Sequence, residues 1–376
     1  MRRKVFLLID AMGWEVVRRH HAFETLAPNR KPLETVLGYS SGAIPTILSG
    51  RLPEEHGHWA LFPRAISGKS PFAWTWILRV LPRSWQHRYR VRRLIRETTR
   101  RRERITGYFQ IYDVPLWLLP RMDYTERVDL WSPGGLAPLP GVFDRWKQEG
   151  RRYFCSGWEG PDEDKFDRAM EAASDGAVDT LFIYGTELDA LMHRVGTHDP
   201  EVGALLRRYE DRLARLLESM RRVDGQDPEL WIFSDHGMTD TLGSHELMKS
   251  VASLSLKEGR DYLAFYDSTM ARFWLETPAS LEALVPMLRA LDYGTLLEES
   301  DLAGHGLKFP DRRYGDLVFL MNPGQLIAPS YMGHGAPRAM HGFHPADKDS
   351  PGALLTPEKL PESVTHIRDM FSLLTS

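Results

Sequence analysis

Short apolar runs recur along the chain, and each stops at a turn rich in acidic, glycine or histidine residues. Residues 5–9 stop at Asp10-Ala11-Met12-Gly13, residues 178–184 at Gly185-Thr186, and residues 230–233 at Ser234-Asp235-His236-Gly237-Met238. Runs of this kind lack the polar alternation of a half-buried strand. They read as parallel strands buried on both faces, and ligands gather at the carboxyl ends of such strands. A second rhythm has helical spacing. Leu205, Leu206, Tyr209, Leu213, Leu216, Leu217 and Met220 follow Asp199-Pro200, with Asp as N-cap and Pro at the first helical position. Residues 165–173 and 361–374 also read as helix, and residues 105–112 and 152–155 as strands. The predicted fold class is α/β, a doubly wound and mostly parallel sheet.

Two stretches interrupt the pattern. Residues 61–146 hold Trp74, Trp76, Trp85, Trp117 and Trp131, and arginines crowd residues 88–104. We read this stretch as a partly helical cap insertion. A basic, aromatic surface suits an anionic substrate or a membrane interface; the competing reading is a solvated basic helix whose tryptophans pack on the main domain. Residues 262–322 read as a smaller βαβ-like insertion, with strands at 272–275 and 316–321 and a helix at 280–291. The core is then expected in three parts, residues 1–60, 147–261 and 323–376.

Composition changes the picture little. A net charge of −3 gives no global field toward nucleic acid, and no recognised nucleic-acid module accompanies the arginines. One cysteine, Cys155, excludes an internal disulfide framework and fits a reducing compartment. The basic start, Met1-Arg2-Arg3-Lys4, leads into an apolar run too short for a signal peptide and broken by Asp10. The expected location is cytoplasmic or membrane-peripheral, with oligomeric state unreadable.

Candidate chemistry lies at the predicted strand ends. Ser40-Ser41-Gly42 opens a short apolar helix that closes at Ser49-Gly50 and Pro53, so Ser40 stands at a helix N-terminus, where unpaired amides favour an anion. It is a plain N-cap or a nucleophile. Asp10 is a turn aspartate or a metal ligand. Asp189 and His193 are four apart and share a helix face, Asp235 and His236 are adjacent, and His341 lies in a late Gly/Pro-rich loop. Asp and neutral His ligate zinc, or manganese where carboxylates dominate. Each pair alone also reads as a hydrogen-bonded structural pair. Their joint occurrence beside Ser40 favours two divalent metals clamping an in-line displacement, with Ser40 as covalent nucleophile.

The ordered set Asp10, Ser40, Ser49-Gly50, Pro53, His56-Gly57, Asp189-x-x-x-His193, Ser234-Asp235-His236-Gly237-Met238 and His341-Gly342-Phe343 resembles the alkaline phosphatase superfamily, on its type I phosphodiesterase/nucleotide pyrophosphatase branch. The resemblance covers the core from residue 4 to about 345 but neither insertion. It implies a two-metal site, with Asp10, Ser40, Asp235 and His236 on one ion and Asp189, His193 and His341 on the other. It also implies hydrolysis of a phosphodiester or pyrophosphate through a phosphoserine. Phosphomonoester or phosphonate hydrolysis, a phosphotransferase at a membrane surface and a degenerate binding module are the alternatives. A sulfatase lacks its cysteine. The substrate would be a small-molecule or lipid-linked phosphoester. The sequence departs from the branch in carrying serine for its usual threonine nucleophile, with Ser41 as an alternative, and Ala43 where an asparagine amide holds a phosphoryl oxygen. The Ala43 backbone, Ser41, His198, His334 and His344 are then the candidate substrate contacts.

Overall fold

The computed structural model describes residues 2–80, 88–174 and 176–376, so Trp85 lies outside the described residues. Its main sheet has six strands, in the order Asn29–Leu33, Gly352–Thr356, Glu229–Phe233, Lys4–Ile9, Thr180–Gly185, Tyr153–Cys155. Lys4–Ile9 runs parallel to both neighbours, Thr180–Gly185 and Glu229–Phe233, and Tyr153–Cys155 continues that direction. Gly352–Thr356 alone runs against its neighbours. The fold is the expected α/β architecture around a mostly parallel sheet.

Period-two alternation sends the central strand's side chains into two cores. Val5, Leu7 and Ile9 pack with Leu205, Leu206 and Leu213 on one face, while Phe6 and Leu8 pack with Ile44, Ile47 and Leu48 on the other. All five strand residues are fully buried, which explains the run without polar breaks. Burial of each such side chain contributes about 1.5–3 kcal/mol. Pro200–Asp224 starts as its sequence predicts, with the Asp199 side chain accepting from the Glu201 amide at 2.8 Å. Ser40–Ser49 follows an extended Tyr39 and stops at Gly50, whose φ of 68° an L side chain would resist.

Three element expectations need correction. Residues 105–112 form no strand: Arg104 and Tyr112 turn the chain at φ of 54° and 41°, and Phe109 is buried edge-on against Tyr124 at 4.8 Å instead of joining a ladder. In residues 262–322 the two expected strands, 272–275 and 316–321, are antiparallel neighbours and not the parallel pair of a βαβ unit. Tyr262–Tyr266, Met270–Leu275, Gly294–Leu297 and Leu317–Met321 make a four-stranded antiparallel sheet, accompanied by the helix Pro278–Arg289. The run across 262–275 hides a hairpin, its turn held by the buried pair Asp267–Arg272 at 3.0 Å. The closing helix covers only Met370–Thr375 after a 3₁₀ turn, because His366 is extended and caps that turn. Among the described residues no helix is long and apolar enough to cross a membrane.

Candidate functional site

Three adjacent parallel strands end on one edge of the sheet, and each is followed by a candidate ligand. Asp10 follows Lys4–Ile9, Asp235 and His236 follow Glu229–Phe233, and Thr180–Gly185 leads into the helix Glu187–Val195 carrying Asp189 and His193. The Ser40 helix and the Glu187–Val195 helix pack on opposite faces of the sheet. The site therefore forms where the two helical layers meet over the carboxyl edge.

Two triads result, Asp10/Asp235/His236 and Asp189/His193/His341, and within each the ligand atoms lie within 4.8 Å of one another. In the first, His236 Nε2 is 3.2 Å from Asp235 Oδ2 and 3.5 Å from Asp10 Oδ1. Its Nδ1 faces the Gly237 carbonyl at 2.9 Å, which assigns the proton to Nδ1 and leaves a lone pair on Nε2. In the second, Asp189 Oδ1 is 3.2 Å from His193 Nε2 and 3.4 Å from His341 Nε2, and His193 Nδ1 faces the Ala339 carbonyl at 2.7 Å. The rings of His236 and His341 stack at 4.0 Å and join the triads.

The electrostatics ask for cations. Burial, then the charges of Asp235 and Asp189, raise the Asp10 carboxyl well above its ordinary range, and burial likewise raises Asp235. Burial, then His236, holds His341 well below the usual histidine value. Asp235 Oδ2, Asp189 Oδ1 and His341 Nδ1 are buried without a hydrogen-bond partner. Imidazole lone pairs thus face carboxylate oxygens, acceptor against acceptor, around groups too buried for water to screen. Two divalent cations fit this donor set. A backbone carbonyl behind each of His193 and His236 is the usual support of a ligating imidazole.

Ser40 Oγ lies 2.9 Å from His236 Nε2 and 3.5 Å from Asp10 Oδ1. Ser41 Oγ is occupied, donating to the Trp59 carbonyl at 3.1 Å. The Ala43 amide, expected to hold a phosphoryl oxygen, donates to the Tyr39 carbonyl at 3.0 Å, as the Gly42 amide does at 2.8 Å. Among the described residues no carbonyl accepts from the Ser40 or Ser41 amide. His198 and His344 do not line the cavity: the first is 71% exposed near Asp240, and the second lies against His305 at 3.2 Å. His334 is 75% exposed near Asp113.

Ser40, Asp10, Asp189, His193 and His341 open into one cavity of about 650 Å³, also lined by Tyr108, Glu126 and Trp131. Two aromatic residues escaped the sequence reading. Tyr184 donates its hydroxyl to Asp10 Oδ2, and Tyr39 sets its ring edge on His341 at 5.6 Å. Parity could have found Tyr184, since it shares the sheet face of Phe6, Leu8 and the Ser40 helix.

No curated protein sequence matches the chain. In structure it resembles murine ectonucleotide pyrophosphatase/phosphodiesterase 5, at 14% identity and a TM-score of 0.68 over 99% of this chain and 94% of that one. The human counterpart matches at 13% identity and 0.68 over the same shares. An inactive variant of the murine protein in complex with AMP matches at 15% and 0.66, over 100% of this chain and 94% of that one. At such identities the likeness shows the fold. Residues 5–347 match the family model for type I phosphodiesterase/nucleotide pyrophosphatase, and the chain belongs to that family of hydrolases.

Proposed function

We propose that the protein hydrolyses a phosphodiester or pyrophosphate bond through a covalent intermediate on Ser40. The observation that carries this reading is the Ser40 hydroxyl at the start of a helix, 2.9 Å from His236 Nε2 and 3.5 Å from Asp10 Oδ1, in one cavity with Asp10 and with Asp189, His193 and His341. Asp10, Asp235, His236 and Ser40 would hold one divalent cation and Asp189, His193 and His341 the other, zinc or manganese. Bound there, the cations would lower the pKa of the serine hydroxyl and neutralise charge developing on the phosphoryl oxygens. The residues of the chain do the rest. Ser40 Oγ bonds to phosphorus as the leaving oxygen departs, and water then cleaves the phosphoserine. The amides of Ser40 and Ser41, at the positive end of the helix, are placed to donate to a phosphoryl oxygen, which makes up for the missing asparagine at Ala43. Tyr184 holds Asp10 in orientation. Residues 61–146 act as a cap, since Tyr108, Glu126 and Trp131 supply part of the cavity wall. Ser40→Ala is expected to abolish turnover of an activated aryl phosphodiester while metal content, still held by the Asp and His ligands, stays largely intact; full activity in that variant overturns the assignment.

One observation favours peripheral contact with an anionic membrane. The helix Tyr89–Glu103 exposes Tyr89, Arg90, Arg93, Leu94, Arg101 and Arg102, and Trp76 and Ile77 beside it are 64% and 50% exposed. Trp74 Nε1 donates to Thr99 at 3.1 Å and joins the two segments. Co-sedimentation should be stronger with phosphatidylserine vesicles than with neutral ones; equal binding rules the contact out.

A further inference from the structure

The four-stranded insertion reaches the cavity through one hairpin turn, whose Asp267 and Ser268 line it beside Tyr39 and His341. That turn is firmly braced. The Ser268 carbonyl accepts from the Ile327 amide at 2.8 Å, and the Thr269 carbonyl accepts from the Met321 amide at 2.8 Å. The fully buried Arg272, which pairs with Asp267, also donates to the Phe62 carbonyl at 3.0 Å. Thr269 is fully buried as well, so its hydroxyl has a fixed place.

Both partners of the Thr269 side chain lie outside the insertion. The Thr269 amide donates to the Tyr39 hydroxyl at 3.1 Å, and Thr269 Oγ1 lies 2.7 Å from that same oxygen and 3.3 Å from the Gly342 carbonyl. Donor counting orders these contacts. A carbonyl only accepts, so the single Thr269 hydroxyl proton goes to Gly342, and the Tyr39 hydroxyl donates to Thr269 Oγ1. Tyr39 immediately precedes Ser40, and its carbonyl takes the Gly42 and Ala43 amides that open the helix. Its ring makes no cap there and is held at the far end, by Thr269. Gly342 immediately follows His341. Its φ is 90°, and a Cβ on it would stand 2.8 Å from the Tyr39 ring and 2.9 Å from Thr269 Oγ1, so only glycine leaves the three groups their contact. One buried hydroxyl thus ties the residue before Ser40 to the residue after His341.

We propose that Thr269 is a positioning residue: acting through Tyr39 and Gly342, it sets Ser40 and His341 relative to each other and makes the insertion part of the reacting site. This rests on the hydrolase reading above. The test pairs Thr269→Val, which keeps the branched shape and removes the hydroxyl, with Thr269→Ser, which restores it. Three quantities are measured on the zinc-loaded protein: kcat and KM for an aryl phosphodiester, the zinc affinity of each site by competition with a chelator, and the melting temperature. Thr269→Val should lower kcat about tenfold with KM within about twofold. It should also weaken about tenfold the zinc site that Asp189→Ala abolishes, and leave the other unchanged. Thr269→Ser should bring kcat and zinc affinity back to within about threefold. Tyr39→Phe should reproduce the losses of Thr269→Val, and the double variant should lose no more than either, because both cut one chain of hydrogen bonds. A lower melting temperature with kcat and both zinc affinities unchanged marks a merely structural role and overturns the proposal. So do losses that Thr269→Ser does not recover, and losses that add in the double variant. If Thr269→Val fails to fold, Tyr39→Phe decides in its place, and normal constants there overturn the proposal. No turnover by the unaltered protein overturns the hydrolase reading; the zinc affinities, read without substrate, then still decide whether Thr269 places His341.

Discussion

The two triads meet where His236 and His341 stack, yet they are built by different means. Asp10, Asp235 and His236 lie within three residues of the ends of two paired strands of the central sheet and are 6%, 0% and 3% exposed. Asp189 and His193 come from one helical turn, with side chains 23% and 26% exposed, and His341 reaches them from a loop some 150 residues later (341 − 193 = 148). The first triad inherits its geometry from a hydrogen-bonded sheet. The second depends on how firmly a helix and a loop are held. For the helix, the support is Asp162, which accepts from the Thr186 and Glu187 amides at 2.9 Å and from the fully buried Lys165 at 2.9 Å. An ion in the first triad should thus be slow to leave, and one in the second easier to reach and easier to lose.

The comparison can be broken outright. Asp235→Ala should cost at least ~10³-fold in turnover of an aryl phosphodiester, together with one equivalent of metal by elemental analysis. Near-normal turnover would mean that the sheet-end triad is structural. A timed exposure to chelator should remove metal in two phases, and Asp189→Ala should erase the fast one. A single phase in the unaltered protein would show the triads to be equally guarded. Asp162→Asn sharpens the contrast, because it loosens the helix without touching a ligand. Affinity for one ion should fall about tenfold while the other holds; a matching loss at both would mean that the helix and the strand ends act as one unit. The smallest effects belong to His198→Ala and His344→Ala. Both residues lie outside the cavity, so kcat/KM should stay within about twofold.

The sheet-end triad was the more legible half in the sequence, for the same reason that it is the more rigid. A run such as residues 5–9 announces a buried parallel strand, and the residue after it must lie at the carboxyl edge. Asp189 and His193 were readable as a helical pair, but only the resemblance tied them to His341. Contacts that depend on packing across the chain were not readable. Nothing in the sequence shows that the Ala43 amide is already taken by Tyr39 or that Ser41 is bound to Trp59. Residues 105–112 misled because apolar β-formers look alike whether they join a ladder or fill an aromatic core. Strand Gly352–Thr356 follows a proline-rich loop and carried no signal of a place in the middle of the main sheet.

That strand also sets a schedule. It stands between Asn29–Leu33 and Glu229–Phe233, so neither can complete its hydrogen bonding until residues 352–356 exist. On a ribosome adding about 5–20 residues per second, Phe233 would wait roughly 6–24 s for its partner. Throughout that interval the growing sheet presents an open, apolar edge to whatever else is being made nearby. His341 precedes the strand by only 11 residues (352 − 341), so the second triad gains its last ligand at nearly the moment the sheet closes. On the proposed two-ion reading, cation capture by the complete pair would be a late event in the life of each molecule, and a chain that holds two ions would be one that has finished folding.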